Sequence, residues 1–275
     1  MKKLCSLLIS ICIFVTVFNR PVMAIEKDPP ISISVNAQYI MMDTKPVMMD
    51  DTAYVPIRFV ANALCADISW EEATRTITII DGETTIVLNH DSDMATVNDE
   101  PHSLPTAPPV VDNRTLVPIR FIAEHMNCQV NWNANTYTVE ITKEDLVVPA
   151  VSIINRGYTD DDLLLLARIV TVEAGNINFD AKIAVANVVI NRKKSPEFPN
   201  TIKDVIYDKN YCIQFPPAHK TSFASKVPSK DSIIAAKMAL EGTNNISACL
   251  FFNNRPFKSK AKDFYKKIDG EYFYK

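Results

Sequence analysis

The segment Tyr54-Val55-Pro56-Ile57-Arg58-Phe59-Val60-Ala61 returns 62 residues later as Leu116-Val117-Pro118-Ile119-Arg120-Phe121-Ile122-Ala123. Trp70 and Trp132 keep the same offset, as do Ile79 and Ile141. A repeat of this length constrains the fold more than any other feature, because two copies of one supersecondary unit share one local structure. In each copy an Asp-rich turn (Asp50-Asp51, Asp112-Asn113) leads to a Val-Pro step, and proline suits the first position of a helix. A short helix is expected over 57–64 and over 119–126, where apolar residues fall at helical spacing. A hairpin follows: Ile68-Ser69-Trp70 with Thr76 to Ile79, and Val130-Asn131-Trp132 with Thr138 to Ile141, each alternating at period two. Further strands are expected over 31–35 and 85–88.

Nothing in this half carries catalytic spacing. His90, His102 and His125 form no His-x-x-x-His pair, so no metal and no cofactor is expected. Arg58 and Arg120 are expected to pair with acidic groups of the module. Trp70 and Trp132 are expected to pack the hairpins, with sugar-stacking platforms as the alternative.

The first 24 residues have the form of an export signal. Lys2 and Lys3 precede an apolar run from Leu4 to Phe18, and Val22-Met23-Ala24 supplies a small-residue cleavage site. The run is short for a membrane span of about 20 residues, so no stable span is expected after processing. An uncleaved anchor is the alternative. Export permits disulfides, but the spacing of Cys65, Cys128, Cys212 and Cys249 selects no pairing, and free buried thiols are equally compatible.

Charge divides the chain. Residues 25–145 hold 7 Lys+Arg against 19 Asp+Glu, a balance of −12; residues 158–275 hold 18 against 13, a balance of +5. A basic half is drawn to an anionic polymer such as a bacterial wall. Nucleic acid is not indicated. Between the halves, Lys143 to Arg156 reads as a connection, extended around Pro149 and apolar enough to pack on a neighbour.

The C-terminal half opens with Thr159-Asp160-Asp161-Asp162, a capping-box start to a helix that runs through Leu163 to Glu173. Glu173 continues the apolar face of Leu166, Ile169 and Val170. Burial there, and a helix C-terminus, both disfavour the carboxylate and favour a proton-donating acid. A second helix is expected from Asp180 to Arg192, a short third one over 201–207, another from Ser229 to Leu240, and a strand at Cys249 to Asn253. Asp180, Glu197, Asp204 and Asp208 are the only acids that suggest themselves as a second carboxylate, and surface solvation is the default for each. No Gly-x-Ser-x-Gly nucleophile motif is present. Cys212 with His219 carries no specific spacing, and His219 alone cannot ligate a zinc.

Two resemblances organise these observations. The paired Val-Pro-Ile-Arg-Phe motifs with their tryptophans resemble the copper amine oxidase N-terminal-like domain, a duplicated module carried by secreted wall proteins. The usual glycine after its helix is Cys65 in one copy and Asn127 in the other. The C-terminal order of Glu173-Ala174, Val189-Ile190-Asn191-Arg192, Ser195-Pro196-Glu197-Phe198-Pro199, Val205-Ile206-Tyr207 and Gln214-Phe215 resembles spore cortex-lytic cell-wall hydrolases. That resemblance implies a lysozyme-like domain cutting peptidoglycan glycan strands between N-acetylmuramic acid and N-acetylglucosamine as a lytic transglycosylase. It implies Glu173 as the catalytic acid and Gln214, Phe215, Asn253 and Tyr272 as substrate-binding residues. The chain departs from the family where Gly175-Asn176-Ile177 follows Glu173-Ala174, and where Tyr272 occupies a histidine position.

The expected architecture is therefore a two-domain α+β chain. It comprises a signal peptide (1–24), a duplicated β-rich module (31–142), a linker (143–157) and a mostly helical, lysozyme-like domain with a small β element (158–275). The expected protein is secreted, resides in the cell wall or spore envelope, and acts on peptidoglycan in cortex lysis during germination or in wall remodelling. Its N-terminal module would hold another wall polymer or protein. A non-catalytic wall-binding or structural protein with a degenerate hydrolase domain is the alternative.

Overall fold

In the computed structural model Val55 pairs with Val117, its own counterpart across the repeat, with Tyr54 opposite Pro118 and Pro56 opposite Leu116. A register centred on equivalent residues relates the two copies by an approximate two-fold axis through that pair. The structure describes residues 29–210, 213–259 and 261–275; the export signal expected over 1–24 lies outside the described residues. The fold is mixed α+β.

The N-terminal half opens with strands β1 (Ser32–Val35) and β2 (Gln38–Tyr39). The first copy continues as β3 (Val47–Met49), β4 (Thr52–Pro56), α1 (Ile57–Ala63), β5 (Asp67–Glu71), β6 (Thr76–Asp81), β7 (Thr84–Asn89), β8 (Met94–Val97) and β9 (Glu100–Ser103). The second copy has β10 (Val110–Val111), β11 (Arg114–Pro118), α2 (Ile119–His125), β12 (Gln129–Asn133) and β13 (Thr138–Thr142). In each copy the two Asp-rich turn residues adopt positive φ, at 46° and 59° for Asp50 and Asp51 and at 48° and 59° for Asp112 and Asn113. Two successive left-handed residues make the two-residue turn whose twist suits a tight hairpin, here β3–β4 and β10–β11.

Three sheets result: β12-β13-β1-β2, β10-β11-β4-β3 and β5-β6-β7-β8-β9. Strand β1 lies parallel to β13, Ser32 opposite Thr138 and Val35 opposite Ile141. Ile57, Val60, Ala61, Ile119, Ile122 and Ala123 bury the inner faces of α1 and α2 in a core shared with these strands. Cys65 and Asn127 both have positive φ, 59° and 58°, at the turns where a glycine is usual.

The two tryptophans differ. Trp132 packs its hairpin, its ring 5.2 Å from that of Tyr137, while Trp70 is 43% exposed, at the outer end of the strand face whose Ile68 packs on the core. The arginines diverge too. Arg120 Nη1 donates to Glu124 Oε1 (3.2 Å) and to the Val130 carbonyl (3.1 Å), as expected. The position equivalent to Glu124 in the first copy is Asn62, and no ion pair or hydrogen bond holds Arg58 among the described residues.

The connection packs rather than swings. Asn36 Nδ2 donates to the carbonyls of Lys143 and Leu146 (2.9 Å each), and Ile153 bridges to Ile40. Cys65, Cys128 and Cys249 are free thiols, the last two buried and pushed up to about 11 by that burial; Cys212 lies outside the described residues.

In the C-terminal half α3 (Asp160–Glu173) begins with the expected capping box: the Asp162 N–H donates to Thr159 Oγ1 (3.1 Å) and the Thr159 N–H to Asp162 Oδ2 (3.0 Å). Helix α4 (Phe179–Lys194) is the centre of the domain, buried without a break from Ala181 to Arg192. Around it sit α5 (Ile202–Ile206), α6 (Lys230–Leu240) and a small sheet β14-β16-β15 formed by β14 (Phe251–Asn253), β15 (Phe264–Ile268) and β16 (Glu271–Tyr274).

A buried cation joins the two halves. Lys237 of α6 has no exposed surface, and its Nζ donates to Ser32 Oγ (2.8 Å), the Thr136 carbonyl (2.7 Å) and the Tyr137 carbonyl (3.0 Å). Burial lowers its pKa to about 8. Beside it Tyr39 Oη and Arg156 Nη2 both donate to Asp160 Oδ1 (2.7 Å each).

Candidate active site

Glu173 is the last residue of α3, one turn beyond Ile169 and Val170, which are both fully buried. The helix must stop at once to leave the carboxyl at a surface. Its C-cap is Ala174, and at the next residue, Gly175, a Cβ would lie 2.8 Å from the Thr171 carbonyl oxygen. A side chain at position 175 would thus collide with the last turn of the helix beside the acid.

The Glu173 carboxyl faces a cleft of about 310 Å³ lined by Gln214, Phe251, Phe252, Asn253, Phe257 and Glu271, among others. Glu173 Oε1 is buried and no described residue offers it a hydrogen bond. Burial, and secondarily the Glu271 carboxylate, push its pKa up to about 7. A carboxyl in that range holds a proton near neutrality and can give it away, which is what a general acid requires.

The far wall depends on the Asn-Arg motif at the end of α4. Asn191 Nδ2 donates to the carbonyls of Ser247 (2.8 Å) and Cys249 (2.9 Å), and Arg192 Nε to that of Leu250 (2.7 Å). These bonds fix the segment that enters β14 and so place Phe251, Phe252 and Asn253. Asn253 Nδ2 in turn donates to the Arg255 carbonyl (3.0 Å). The Arg192 guanidinium is sandwiched among the rings of Phe198, Phe215 and Phe251 at 5.0, 5.2 and 5.5 Å, where ring faces favour a cation.

Of the residues singled out from the sequence, Glu173, Gln214 and Asn253 meet at the cleft. Phe215 lies behind it, fully buried under Arg192 and against Phe252. Tyr272 pairs with Asn253 across β14–β16, yet its ring packs by Phe264 and beneath Lys267 Nζ (4.8 Å). Tyr272 does not line the cleft; its neighbour Glu271 does. Its own carboxyl is pushed upward by burial and by Asp269. Asp180, Glu197, Asp204 and Asp208 do not line this space. No signal local to Glu271 marks it; only the β15–β16 hairpin, closed at Asp269-Gly270, carries it to Glu173. Among the described residues no cluster of three or more His, Cys, Asp or Glu could hold a metal ion.

Comparison with known proteins gives matches on both halves of the chain. Residues 178–274 match the family model described as Cell Wall Hydrolase, and residues 34–141 that described as Copper amine oxidase N-terminal domain. The resemblances to spore cortex-lytic hydrolases and to the copper amine oxidase N-terminal domain hold on both halves. The hydrolase match takes in Gln214, Asn253 and Glu271 but begins after Glu173.

The chain is 38% identical over 52 residues to the spore cortex-lytic enzyme of Bacillus subtilis (strain 168), covering 19% of this chain and 17% of that one. It is 40% identical over 52 residues to the spore cortex-lytic enzyme of Halalkalibacterium halodurans, covering 19% and 16%. It thus spans only about a sixth of the length of these relatives. Among solved structures, the catalytic domain of the Bacillus cereus SleB protein is 26% identical, with a TM-score of 0.37, covering 44% of this chain and 95% of that one.

Proposed function

We propose that the chain is a secreted enzyme that cleaves the glycan strand of peptidoglycan as a lytic transglycosylase, with Glu173 as its acid. The observation that carries this is the Glu173 carboxyl, held near pH 7 in a cleft whose polar walls are Gln214, Asn253 and Glu271. Protonated Glu173 gives its proton to the glycosidic oxygen between N-acetylmuramic acid and N-acetylglucosamine as that bond breaks. As carboxylate it then takes the proton of the muramic 6-hydroxyl, whose oxygen attacks the anomeric carbon and closes a 1,6-anhydro ring. Burial, helped by Glu271, lets Glu173 hold a proton near neutral pH, and Glu271 offers negative charge to the oxocarbenium-like centre. The curated relatives' name, spore cortex-lytic enzyme, supports cortex peptidoglycan as the substrate and germination as the setting.

In this proposal residues 1–24 direct export, 31–142 form a duplicated non-catalytic module, 143–157 link, and the lysozyme-like 158–275 cuts. Glu271 also favours a second reading. Two carboxylates at one cleft can activate a water molecule, which makes the product a reducing end. Digestion of purified peptidoglycan with the mature protein and with Glu173→Gln, followed by mass analysis, decides between them. Anhydromuramoyl ends from the unaltered protein alone are expected. Reducing ends abolished by Glu173→Gln would leave Glu173 as acid but make the enzyme a hydrolase. Absence of any release, with retention on the sacculus, would leave a wall-binding protein.

A further inference from the structure

The two-fold relation of the N-terminal half produces two clefts, one per copy. The first, about 420 Å³, is built from the start of α1, the β5–β6 hairpin and the β10–β11 hairpin of the other copy. The second, about 410 Å³, is built from the start of α2, the β12–β13 hairpin and the β3–β4 hairpin. Eleven lining positions of one correspond to lining positions of the other at the 62-residue offset, from Arg58 and Arg120 through Trp70 and Trp132. Each cleft is therefore completed by the opposite copy.

Their contents have diverged. In the second cleft Tyr137 is buried and sets its ring edge-on to Trp132 at 5.2 Å, Arg120 is tied to Glu124, and Lys230 of the C-terminal half forms part of the wall. The backbone of Tyr137 also receives Lys237. This copy has become a seat for the C-terminal half. In the first cleft the position of Tyr137 is Arg75, that of Thr52 is Arg114, and Arg58 lacks the carboxylate that restrains Arg120. Trp70 stays exposed, its indole fixed by a hydrogen bond from Nε1 to Glu72 Oε2 (2.6 Å). Arg75 is paired with Asp91 (2.9 Å) and Arg114 with Asp43, which leaves Arg58 as the uncommitted cation among the three. Three guanidinium groups, with the Glu72 carboxylate, thus line one cleft with Trp70 in a half of the molecule whose net charge is −12.

We propose that this first cleft is a binding site for a carboxylate-bearing glycan: Trp70 takes the apolar face of a pyranose, and Arg58 forks onto the sugar's carboxylate. A fixed aromatic plane presents apolar area at little entropic cost, and arginine matches the geometry of a carboxylate. The cleft itself stands independently of Glu173; the choice of a muramic-acid glycan as ligand rests on the proposed function.

The chain has two tryptophans, so Trp132→Phe leaves Trp70 as the sole indole emitter. The full chain carrying Glu173→Gln and Trp132→Phe is titrated with peptide-free glycan strands containing N-acetylmuramic acid, with neutral N-acetylglucosamine oligomers, and with poly(glycerol phosphate), following Trp70 emission. Expected is a saturable blue shift with the muramic glycan, at least 5-fold weaker binding of the neutral oligomer, and loss of the response in Arg58→Glu. Cleft binding then weakens with added salt. An unchanged emission with the muramic glycan, an equal affinity for the neutral oligomer, a preference for the phosphate polymer, or an undiminished response in a folded Arg58→Glu chain would each overturn the proposal. Because emission is read at Trp70 in a chain that lacks its acid, a failed enzyme assay leaves this outcome untouched, and the reverse also holds.

Discussion

Replacing Glu173 by Gln should make the protein more stable at alkaline pH and leave it unchanged in acid. The folded state holds the Glu173 proton up to about pH 7, against an ordinary value of 4.5. A raised folded pKa means that the stabilising contribution is complete below about pH 4.5 and is lost as pH rises through about 7. At about 1.4 kcal/mol for each tenfold change in proton affinity, the ceiling on that loss is about 3 kcal/mol. The cleft is open to water, and screening there reduces the figure to roughly 1–2 kcal/mol. Glutamine fills the same space without the charge, so it escapes the loss. Urea denaturation of both proteins, followed by far-ultraviolet circular dichroism at pH 5 and pH 8.5, measures it. Expected is coincidence at pH 5 and a midpoint higher by about 0.5 M for Glu173→Gln at pH 8.5, taking a slope of about 2–3 kcal/mol per molar. An equal gap at both pH values, or a variant weaker at pH 8.5, would refute the claim that this carboxylate is held against its own solvation.

Three further outcomes follow from the same structure. Glycan cleavage should fall as pH rises above about 7, and Glu271→Gln should move that limb to lower pH, since removing the neighbouring charge lowers the Glu173 pKa; an unmoved limb in a pH–rate profile would show the two carboxyls to be independent. Cys65→Gly should stabilise the chain by about 0.5–1 kcal/mol, because Cys65 sits at φ 59° where glycine meets no steric penalty, and a higher thermal midpoint in calorimetry checks it. Lys237→Met should destabilise the chain by roughly 1–3 kcal/mol, as the Thr136 and Tyr137 carbonyls lose a buried donor, and calorimetry should register the loss.

Local features were legible from the sequence. The Thr159 cap, the paired turns, the two short helices and the strand at Phe251–Asn253 are set by residues near one another along the chain. The burial of Glu173 followed from helical spacing alone. What escaped depends on distant partners. Glu271 is carried to the cleft by the β15–β16 hairpin, and Tyr272 packs instead by Phe264 and Lys267. Phe215 was expected among the substrate contacts, and the structure places it beneath Arg192, since an aromatic beside a buried guanidinium is worth more as its support. The different fates of Arg58 and Arg120 were written in the sequence as Asn62 against Glu124, four residues on in each helix, where a side chain meets its neighbour.

The parallel pairing of β1 with β13 carries a consequence for how the chain comes to be folded. Ser32 emerges from the ribosome early, but its partner Thr138 follows 106 residues behind. At about 5–20 residues per second the first strand waits on the order of 5–20 s with its edge unpaired. Lys237, which caps the same strand through Ser32, arrives later still. Until then the sheet β12-β13-β1-β2 cannot close. An edge left open that long is also the place where a second nascent copy could add a strand.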